Sequence, residues 1–526
     1  MMILQQPLYK FKKGGLVVTE VNAIELKGIT KRFGSVVAND NVDLSVRKGE
    51  ILSVLGENGS GKTTLMNMIS GIYFPDEGHI CVNGEEVTIC SPKDSFDLGI
   101  GMIHQHFKLV EVLTAAENII LGLEGKSVLN MKKVIEDIQK VTEAYGFEMD
   151  PNQKIYDMSV SQKQTVEIVK MLYRGADILI LDEPTAVLTP QETQKLFTVL
   201  RNMRDNGKSI IIITHKLHEV LSLSDRVSVL RKGKYIGTVE TKDATAESLT
   251  EMMVGEKISL DIERLDPVNP TKRLTVKDLN CINKEGIQTL SNVSLEAYSG
   301  EILGIAGIAG SGQKELLEAI AGLQPTESGE ITYLMKDGEE KDLLSMKPAD
   351  IKNLGIALSF VPEDRLGMGL VGSMGMTGNM MLRGYNEGRG IFTNRKEPKE
   401  LAEKIVDQLQ VSTPSVSTPV SRLSGGNVQK VLVGREIAAE PTVLMVAYPV
   451  RGLDINSSLT IYDLLNEQKK NGVAVICVGE DLDVLLELCD KILVLCGGKV
   501  SGVVDARSAT KEQIGLLMTK EEEVTA

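Results

Sequence analysis

The chain repeats itself once, and this duplication constrains its fold more than any other feature of the sequence. Residues 50–52, followed by a glycine-rich run, return 251 positions later as residues 301–303 with a similar run. A further match follows in the same order, between Ser159 and Ser424, which lie 265 positions apart. Solenoid repeats have periods of about 20–50 residues, so a unit this long is a whole domain. The duplication therefore predicts two successive domains of similar fold.

A short linker separates the two halves. It contains Pro267 and Pro270 among mixed charges, a composition typical of linkers. We expect a first domain over residues 21–256, a linker over 257–272 and a second domain over 273–520. Each domain is long enough to bury a core of its own.

Apolar runs alternate with helical segments in both halves. The runs 178–181, 210–213 and 473–478 are typical of buried parallel strands. Helical stretches follow the two glycine-rich runs, at 64–70 and 315–321. Strands that alternate with helices predict an α/β fold whose glycine-rich loop lies at the end of a strand.

The first glycine-rich run fits the pattern GxxxxGK[ST] at every fixed position, between an apolar strand and a helix. Glycines allow backbone N–H groups to approach phosphates, Lys62 would neutralise the β/γ oxygens, and Thr63 would offer its hydroxyl to Mg²⁺. The alternative is a glycine-rich turn without a ligand. The candidate ATP-binding residues are Gly56, Glu57, Asn58, Gly59, Ser60, Gly61, Lys62, Thr63 and Thr64.

Two acids follow the apolar run 178–181. Asp182 would bind Mg²⁺, and Glu183 would polarise an attacking water. Adjacent acids at a strand end could instead cap the next segment, but here they accompany an intact phosphate loop. Together these motifs indicate a P-loop NTPase.

Three further segments resemble the ATP-binding subunits of ABC transporters, and the resemblance covers nearly the whole chain. Gln105 lies in a loop, residues 159–162 open a helical segment, and His215 follows the run 210–213. The resemblance implies that Gln105 is a catalytic and Mg²⁺-binding Q-loop residue, that Ser159 and Ser161 belong to a signature, and that His215 contacts the γ-phosphate. It also implies that Phe33 stacks on adenine, although a lone Phe or His is more often a core or surface residue.

The same resemblance implies a fold and its cofactors. We expect two tandem P-loop ABC nucleotide-binding domains. Each would have a RecA-like parallel-sheet core, an antiparallel β subdomain and a helical subdomain. ATP and Mg²⁺ are the implied ligands.

The second half has different residues at these positions. The replacements are Gln313 for Lys62, Lys314 for Thr63, Glu363 for Gln105, Ala447 for Asp182, Tyr448 for Glu183, Glu480 for His215 and Lys284 for Phe33. The phosphate cation, the Mg²⁺ ligands and the base are therefore missing. Gly307, Gly310 and Gly312 are retained, so weak nucleotide binding stays open.

The signature shows the opposite pattern. Ser424, Gly425 and Gly426 form an intact motif in the second half, whereas Ser161 stands where the first half should have a glycine. In the family, each ATP is held between one half's phosphate loop and the other half's signature. The resemblance therefore implies one working composite site and one degenerate site that includes Ser159 and Ser161. Unrelated drift in both segments is the alternative.

Some sequence segments narrow the resemblance to bacterial importers of simple sugars and nucleosides. The segments 101–110, 182–192 and 360–365 resemble the nucleoside branch, although Tyr448 is unusual there. We expect a translocase ATPase that energises nucleoside import, with a simple sugar of the galactose or ribose type as the alternative. A soluble ABC translation factor is a further alternative, which Tyr448 and the short linker disfavour.

Charge and hydropathy bear on the partners. The 72 Asp and Glu residues exceed the 58 Lys and Arg residues, and a net charge of −14 disfavours nucleic-acid binding. No apolar run reaches the roughly 20 residues of a membrane span. The resemblance implies two integral-membrane permease subunits that dock near Gln105 and Glu363, and an extracytoplasmic solute-binding protein that acts indirectly. The chain would be peripheral, at the cytoplasmic face of the cell membrane.

Overall fold

A computed structural model describes residues 21–519, apart from 35, 105–106, 124–129, 186–187, 256–261, 263, 268, 284–285, 309, 361–365, 367–368, 385–393 and 452. The chain divides into two units, the first comprising residues up to 186 with 192–258, and the second comprising 187–191 with residues from 259 onwards. Three predicted site residues, Gln105, Lys284 and Glu363, lie outside the described residues.

The first unit contains two sheets. An antiparallel sheet has the order β2-β1-β4-β5 and is formed by β1 (Ile24–Phe33), β2 (Val36–Val46), β4 (Glu77–Val82) and β5 (Glu85–Val87). A second sheet has the order β10-β9-β3-β8-β7-β6 and is formed by β3 (Ile51–Leu55), β6 (Ile100–Ile103), β7 (Ile178–Asp182), β8 (Ser209–Thr214), β9 (Arg226–Arg231) and β10 (Lys234–Glu240). All pairs of this sheet are parallel except β9 with β10.

Eight α-helices of at least six residues accompany these sheets in the described part of the first half. They are α1 (Lys62–Ile69), α2 (Pro92–Asp97), α3 (Ala115–Ile120), α4 (Met131–Tyr145), α5 (Val160–Tyr173), α6 (Pro190–Asp205), α7 (Leu217–Leu223) and α8 (Ala246–Val254). Helices α3, α4 and α5 share a small core of their own, which includes Ile119, Ile138 and Val166. They form a helical layer separate from the sheet core.

The second unit repeats both sheets. Its antiparallel sheet, of order β12-β11-β14-β15, is formed by β11 (Lys272–Ile282), β12 (Gln288–Tyr298), β14 (Thr326–Leu334) and β15 (Glu340–Asp342). Its other sheet, of order β20-β19-β13-β18-β17-β16, is formed by β13 (Ile302–Gly307), β16 (Ile356–Phe360), β17 (Val443–Ala447), β18 (Ala474–Val478), β19 (Lys491–Cys496) and β20 (Lys499–Asp505). Strand for strand, this is the topology of the first unit.

The helices of the second unit follow the same sequence of elements. They are α9 (Gln313–Ile320), α10 (Pro348–Asn353), α11 (Met376–Gly384), α12 (Lys396–Leu409), α13 (Gly425–Ile437), α14 (Ile455–Lys470), α15 (Leu482–Leu488) and α16 (Lys511–Thr519). In the parts of the chain that the structure describes, no helix is long and apolar enough to cross a membrane.

The central strands are buried and mostly apolar because both faces of the sheet are covered. Every residue of β3 is buried, and so is every residue of β8, β17 and β18. This explains why the apolar runs 178–181, 210–213 and 473–478 lack the alternation of a half-exposed strand.

One aspartate anchors the start of the central strand in each unit. Asp225 accepts a hydrogen bond from the Ile51 N–H at 2.8 Å, and Asp490 accepts one from the Ile302 N–H at 2.8 Å. The strands β3 and β13, from which the two glycine-rich loops depart, are therefore held by the same contact.

Candidate functional site

The first glycine-rich loop leaves β3 and turns directly into α1. The Ser60 N–H donates to the Glu57 carbonyl at 3.1 Å, and Gly61 has a φ of 94°. A Cβ on Gly61 would lie 2.4 Å from the Ala38 carbonyl oxygen, and one on Gly56 would lie 2.3 Å from the Leu230 carbonyl oxygen. Both positions therefore require glycine, since any side chain would collide with backbone.

The loop closes around the Lys62 ammonium. Its Nζ donates to the carbonyls of Gly56 at 2.6 Å and Glu57 at 2.9 Å. Burial lowers the pKa of Lys62, against the opposing charges of Glu183 and Asp182. Within the described residues, the buried Ser60 Oγ has no hydrogen-bond partner. A cation and an orphaned hydroxyl in a glycine loop fit a phosphate ligand.

The other predicted loop residues lie on its outer side and in the first helical turn. Asn58, Gly59 and Thr63 are exposed, and Thr64 is half-buried. The loop tip is thus open to solvent, while its base is packed against the sheet.

Asp182 ends β7 and lies close to the loop. Burial, with the nearby charge of Glu183, raises the pKa of Asp182 to about 6, although Lys62 and a hydrogen bond from Thr63 act in the other direction. A half-buried carboxylate beside a hydroxyl, destabilised in its ionised form, fits an oxygen-liganded divalent cation.

Glu183 has an unusual backbone that points its side chain toward His215. Its φ is 48°, and its N–H donates to the Ile213 carbonyl at 2.9 Å. Its Oε1 lies 2.7 Å from His215 Nδ1. Burial alone would raise the pKa of Glu183, but His215, Lys62 and Lys216 together hold it below its ordinary value. These neighbours favour the ionised form of the Glu183 carboxylate.

Two residues of this site were missed by the sequence reasoning. Lys216 contributes to the potential at Glu183, and its Nζ donates to the Thr185 carbonyl at 3.1 Å. The fully buried Asn39 donates from Nδ2 to the Gly61 carbonyl at 3.2 Å. The duplication held a signal for Lys216, because the equivalent position in the second half is the oppositely charged Asp481.

Phe33 is exposed at the end of β1, as an adenine-stacking residue must be. Its side chain is 44% exposed, and its ring meets that of Tyr73 edge-on at 5.2 Å. Lys31 Nζ lies 5.6 Å from the same ring. This exposed aromatic pair offers a flat surface on which another ring can stack.

The two signature segments open equivalent helices. Ser159 caps α5 in a capping box with Gln162, and Ser424 caps α13 by accepting from the Asn427 backbone N–H at 3.4 Å and its Nδ2 at 2.8 Å. A Cβ on Gly426 would lie 3.5 Å from Asp454 Oδ2, an ordinary contact. The fold of the second unit therefore does not itself require glycine at position 426.

The described residues of the second glycine-rich loop keep the backbone of the first. Gly312 has a φ of 98°, and the Ser311 N–H donates to the Ile308 carbonyl at 3.0 Å. Gln313 is buried and folds back to donate from Nε2 to the same carbonyl at 3.1 Å. Its neutral amide therefore occupies the place of the Lys62 ammonium, and a Cβ on Gly307 would lie only 2.5 Å from it.

The second unit has different side chains at the positions of Asp182 and Glu183. Ala447 is buried and offers no ligand atom, and Tyr448 follows with a φ of 49°. The Arg451 guanidinium lies 5.8 Å from the Tyr448 ring centre and is paired with Glu480 at 3.1 Å. Lys314 is paired with Glu318 on the same helix at 3.7 Å. These charged side chains are thus engaged in ion pairs within the second unit, and they include no carboxylate–histidine pair.

Comparison with known proteins adds a family model described as ABC transporter, which matches residues 39–186 and 290–449. The chain is 42% identical over 500 residues to the nucleoside import ATP-binding protein NupA of Lactococcus lactis, covering 94% of this chain and 97% of the relative. The guanosine import ATP-binding protein NupO of Bacillus subtilis is 42% identical over 501 residues, with the same coverage. The glucose import ATP-binding protein TsgD13 of Haloferax volcanii is 40% identical over 540 residues, covering 96% of each chain.

Proposed function

Because the chain belongs to the ABC transporter family, we propose that it is the ATP-hydrolysing subunit that energises nucleoside import through a membrane transporter. The observation that carries the ATPase activity is the Glu183–His215 pair, 2.7 Å apart, beside an intact phosphate loop. The names of two relatives, for nucleoside and guanosine import, support the substrate. A simple sugar is the second candidate, supported by the relative named for glucose import.

The family match confirms the resemblance and the fold class predicted from the sequence. Two separate segments match the ABC transporter model, one in each half, and each unit has its own phosphate loop at the end of a parallel strand. We retain 21–256 and 273–520 as the proposed bounds of the two nucleotide-binding domains.

The first unit would bind ATP and hydrolyse it with its own residues. The loop N–H groups and Lys62 would bind the phosphates, and Phe33 would stack on the adenine. Glu183 would accept a proton from the attacking water, and His215 would hold that carboxylate in place and contact the γ-phosphate. Thr63, Asp182 and Gln105 would hold Mg²⁺, which neutralises phosphate charge when bound.

The signature of the second unit would complete this site. Ser424, Gly425 and Gly426 are intact, whereas the first-unit signature has Ser161 in place of a glycine. The losses in the second-unit loop and in the first-unit signature would then fall on one degenerate site. This matched pattern of losses supports a single working composite site. The pairing of the first-unit phosphate loop with the second-unit signature is taken from the arrangement of the family.

Membrane permease subunits are the implied partners. We propose that two of them dock near Gln105 and Glu363, and that a solute-binding protein outside the cell acts through them. The chain would then lie at the cytoplasmic face of the membrane.

Reconstitution in proteoliposomes tests the function and its substrate. The chain is combined with its permease subunits and their solute-binding protein, and phosphate release is measured with purine and pyrimidine nucleosides, galactose, glucose and ribose. Stimulation by nucleosides alone is the expected result, and stimulation by a sugar alone would favour the second candidate. A chain that copurifies with ribosomes and not with the permeases would contradict both.

A further inference from the structure

A polar cluster in the first unit joins the segment that follows Glu183 to the segment that follows His215. Thr185 is only 2% exposed, and its Oγ1 donates to Glu219 Oε2 at 2.5 Å. Lys216 Nζ donates to the Thr185 carbonyl at 3.1 Å and to its Oγ1 at 3.4 Å. The same ammonium lies 3.1 Å from Glu219 Oε1. These three side chains, the Thr185 cluster, therefore bind one another and one main-chain carbonyl.

The cluster lies next to both members of the catalytic pair in the chain. Glu183 precedes Thr185 by two residues. His215 directly precedes Lys216, which is the N-cap residue of α7. The contact of 2.7 Å between Glu183 and His215 is thus followed along both segments by the contacts of Thr185. Since the Glu183 N–H is also bonded to the Ile213 carbonyl of β8, the left-handed backbone at Glu183 is held on both sides.

A further contact to the same segment is common to both units. Gln164 Nε2 donates to the Pro184 carbonyl at 2.7 Å, and Gln429 Nε2 donates to the Pro449 carbonyl. Both glutamines are buried. Because the unit without a base keeps this contact, the contact does not depend on the presence of a base.

The residues of the Thr185 cluster, in contrast, are not repeated. At the offset of 265, the second unit has Val450 for Thr185, Asp481 for Lys216 and Val484 for Glu219. Val450 and Val484 are half-buried and pack against the apolar core of that unit. Asp481 accepts the Asp483 N–H at 2.9 Å and caps α15. Apolar side chains thus fill two of the three positions in a similar fold.

The second unit connects the corresponding segments by another pair. The Arg451 guanidinium lies 3.1 Å from the Glu480 carboxylate, and both side chains are more than a third exposed. This ion pair engages the residue at the position of His215. The combination of a buried hydroxyl with an ammonium on its carbonyl is thus found at these positions in the unit that has a base, and valine and aspartate stand there in the other.

We propose that Thr185, Lys216 and Glu219 are positioning residues that hold the Glu183 carboxylate in its orientation for catalysis. This inference rests on the proposed function and deepens it, since it concerns the same hydrolytic site. Burying polar groups costs free energy, and the second unit shows that valine can replace two of them. The polar cluster adds orientation, because a misplacement of about 1 Å at a reacting group can slow chemistry by about 100-fold.

Single-turnover hydrolysis tests the cluster. The full chain, in excess, is mixed with ATP and Mg²⁺, and the first-order rate of phosphate release is measured, because this rate does not depend on the folded fraction. Thr185→Val, which reproduces Val450, should slow hydrolysis by about 10- to 100-fold and leave the affinity for ATP within about twofold of wild type. Thr185→Ser keeps the hydroxyl and should hydrolyse ATP like wild type.

A second variant removes the ammonium from the same carbonyl. Lys216→Met should slow hydrolysis to a similar extent, and combining it with Thr185→Val should add little, because both changes release the same segment. The Lys216 side chain is 33% exposed, so this variant keeps the test decisive if Thr185→Val does not fold. The matched control is His218→Gln, an exposed position of the same helix, which should leave the rate unchanged.

A double-mutant cycle with Glu183→Gln separates positioning from general damage. Because the cluster acts through the base, Thr185→Val should slow the residual hydrolysis of Glu183→Gln by no more than about twofold. If Thr185→Val caused its full loss in that background as well, the cluster would act elsewhere and the inference would be overturned.

The remaining outcomes distinguish this inference from the proposed function. Wild-type hydrolysis rates in both Thr185→Val and Lys216→Met would overturn the inference and leave the proposed function standing. A loss of ATP affinity in place of rate, or an equal loss in His218→Gln, would do the same. A wild-type rate in Glu183→Gln would overturn the proposed role of Glu183 together with this inference.

Discussion

Glu183 and Tyr448 follow equivalent strands, and both have a left-handed backbone, with φ of 48° and 49°. Each N–H donates to a carbonyl of the neighbouring strand, at 2.9 Å for Glu183 and 2.8 Å for Tyr448. Only Glu183 is hydrogen-bonded to a histidine, whereas Tyr448 lies beside the Arg451–Glu480 pair. The sheet therefore sets the backbone at this position in both units, and the side chains alone decide whether a base is present.

The two phosphate loops show the same contrast, of different side chains on an equivalent backbone, at a second position. Lys62 and Gln313 are both buried and fold back onto equivalent carbonyls, of Glu57 and Ile308. At these described positions the two loops thus differ in charge and not in backbone conformation. Four predictions test whether these side-chain differences, on a shared backbone, determine ATP turnover and stability. They are ordered from the largest expected effect to the smallest.

Glu183→Gln should lower ATP turnover by about 100- to 10,000-fold, because the amide keeps the shape of the side chain but cannot accept a proton. Phosphate release by the full chain measures it, and nucleotide binding should persist. The matched change in the second unit, Tyr448→Phe, should leave turnover unchanged. If Glu183→Gln retained more than about a tenth of wild-type turnover, Glu183 would not be the base.

Arg226→Met should cost the first unit about 3–5 kcal/mol of stability, because it leaves the buried Glu50 without its partner. The two side chains form a double contact at 2.8 and 2.9 Å and are less than 10% exposed. The equivalent pair in the second unit, Lys491 with Glu301, includes a lysine that is 45% exposed. Lys491→Met should therefore cost at most about 1 kcal/mol.

Hydrogen exchange of β3 and β9, compared with β13 and β19, measures this difference in the intact chain. Equal loss of protection in the two units would show that burial does not distinguish the pairs.

Gly426→Asp should lower turnover by about 100-fold or more, because a carboxylate at the signature would repel the γ-phosphate that this segment is proposed to stabilise. Gly426→Ala is the steric control, since a Cβ at this position meets its nearest neighbour at 3.5 Å. Ser161→Asp, the matched change in the degenerate signature, should be tolerated much better. Steady-state ATPase assays compare the three, and an equal loss from both Asp variants would contradict a single working site.

Tyr448→Glu should not create a second active site. Ala447 still offers no ligand and Gln313 no charge, and groups that act as a unit are strongly non-additive. The new carboxylate should instead destabilise the second unit by about 1–3 kcal/mol if it is buried without a partner. Phosphate release is measured in the Glu183→Gln background. Turnover clearly above that background would show that the second loop is competent.

The sequence predicted the framework of the site because motifs and apolar runs are local. The loop glycines, Lys62, Asp182 and Glu183 could be identified from spacing alone, and the buried strands could be identified from their continuous hydrophobicity. Residue type also predicted the loss of chemistry at Ala447, since a methyl group cannot bind a metal ion.

Contacts between distant segments could not be predicted in the same way. Nothing in the sequence indicates a left-handed backbone at Glu183 or Tyr448, because non-glycine residues seldom adopt it and a strand end gives no local cue. Asn39 reaches the loop across 22 positions, and Arg451 meets Glu480 through the packing of two loop ends.

The left-handed backbone at Glu183 and Tyr448 has a consequence for protein engineering. Such a conformation costs a non-glycine residue about 1–2 kcal/mol, and the second unit keeps it without a catalytic base to orient. A second hydrolytic centre engineered into this unit would therefore start from a strained backbone that already has the conformation found at Glu183. The remaining work would be a set of simultaneous side-chain grafts, at positions 313, 314, 363, 447, 448 and 480 of the second half and at position 161 of the first-half signature.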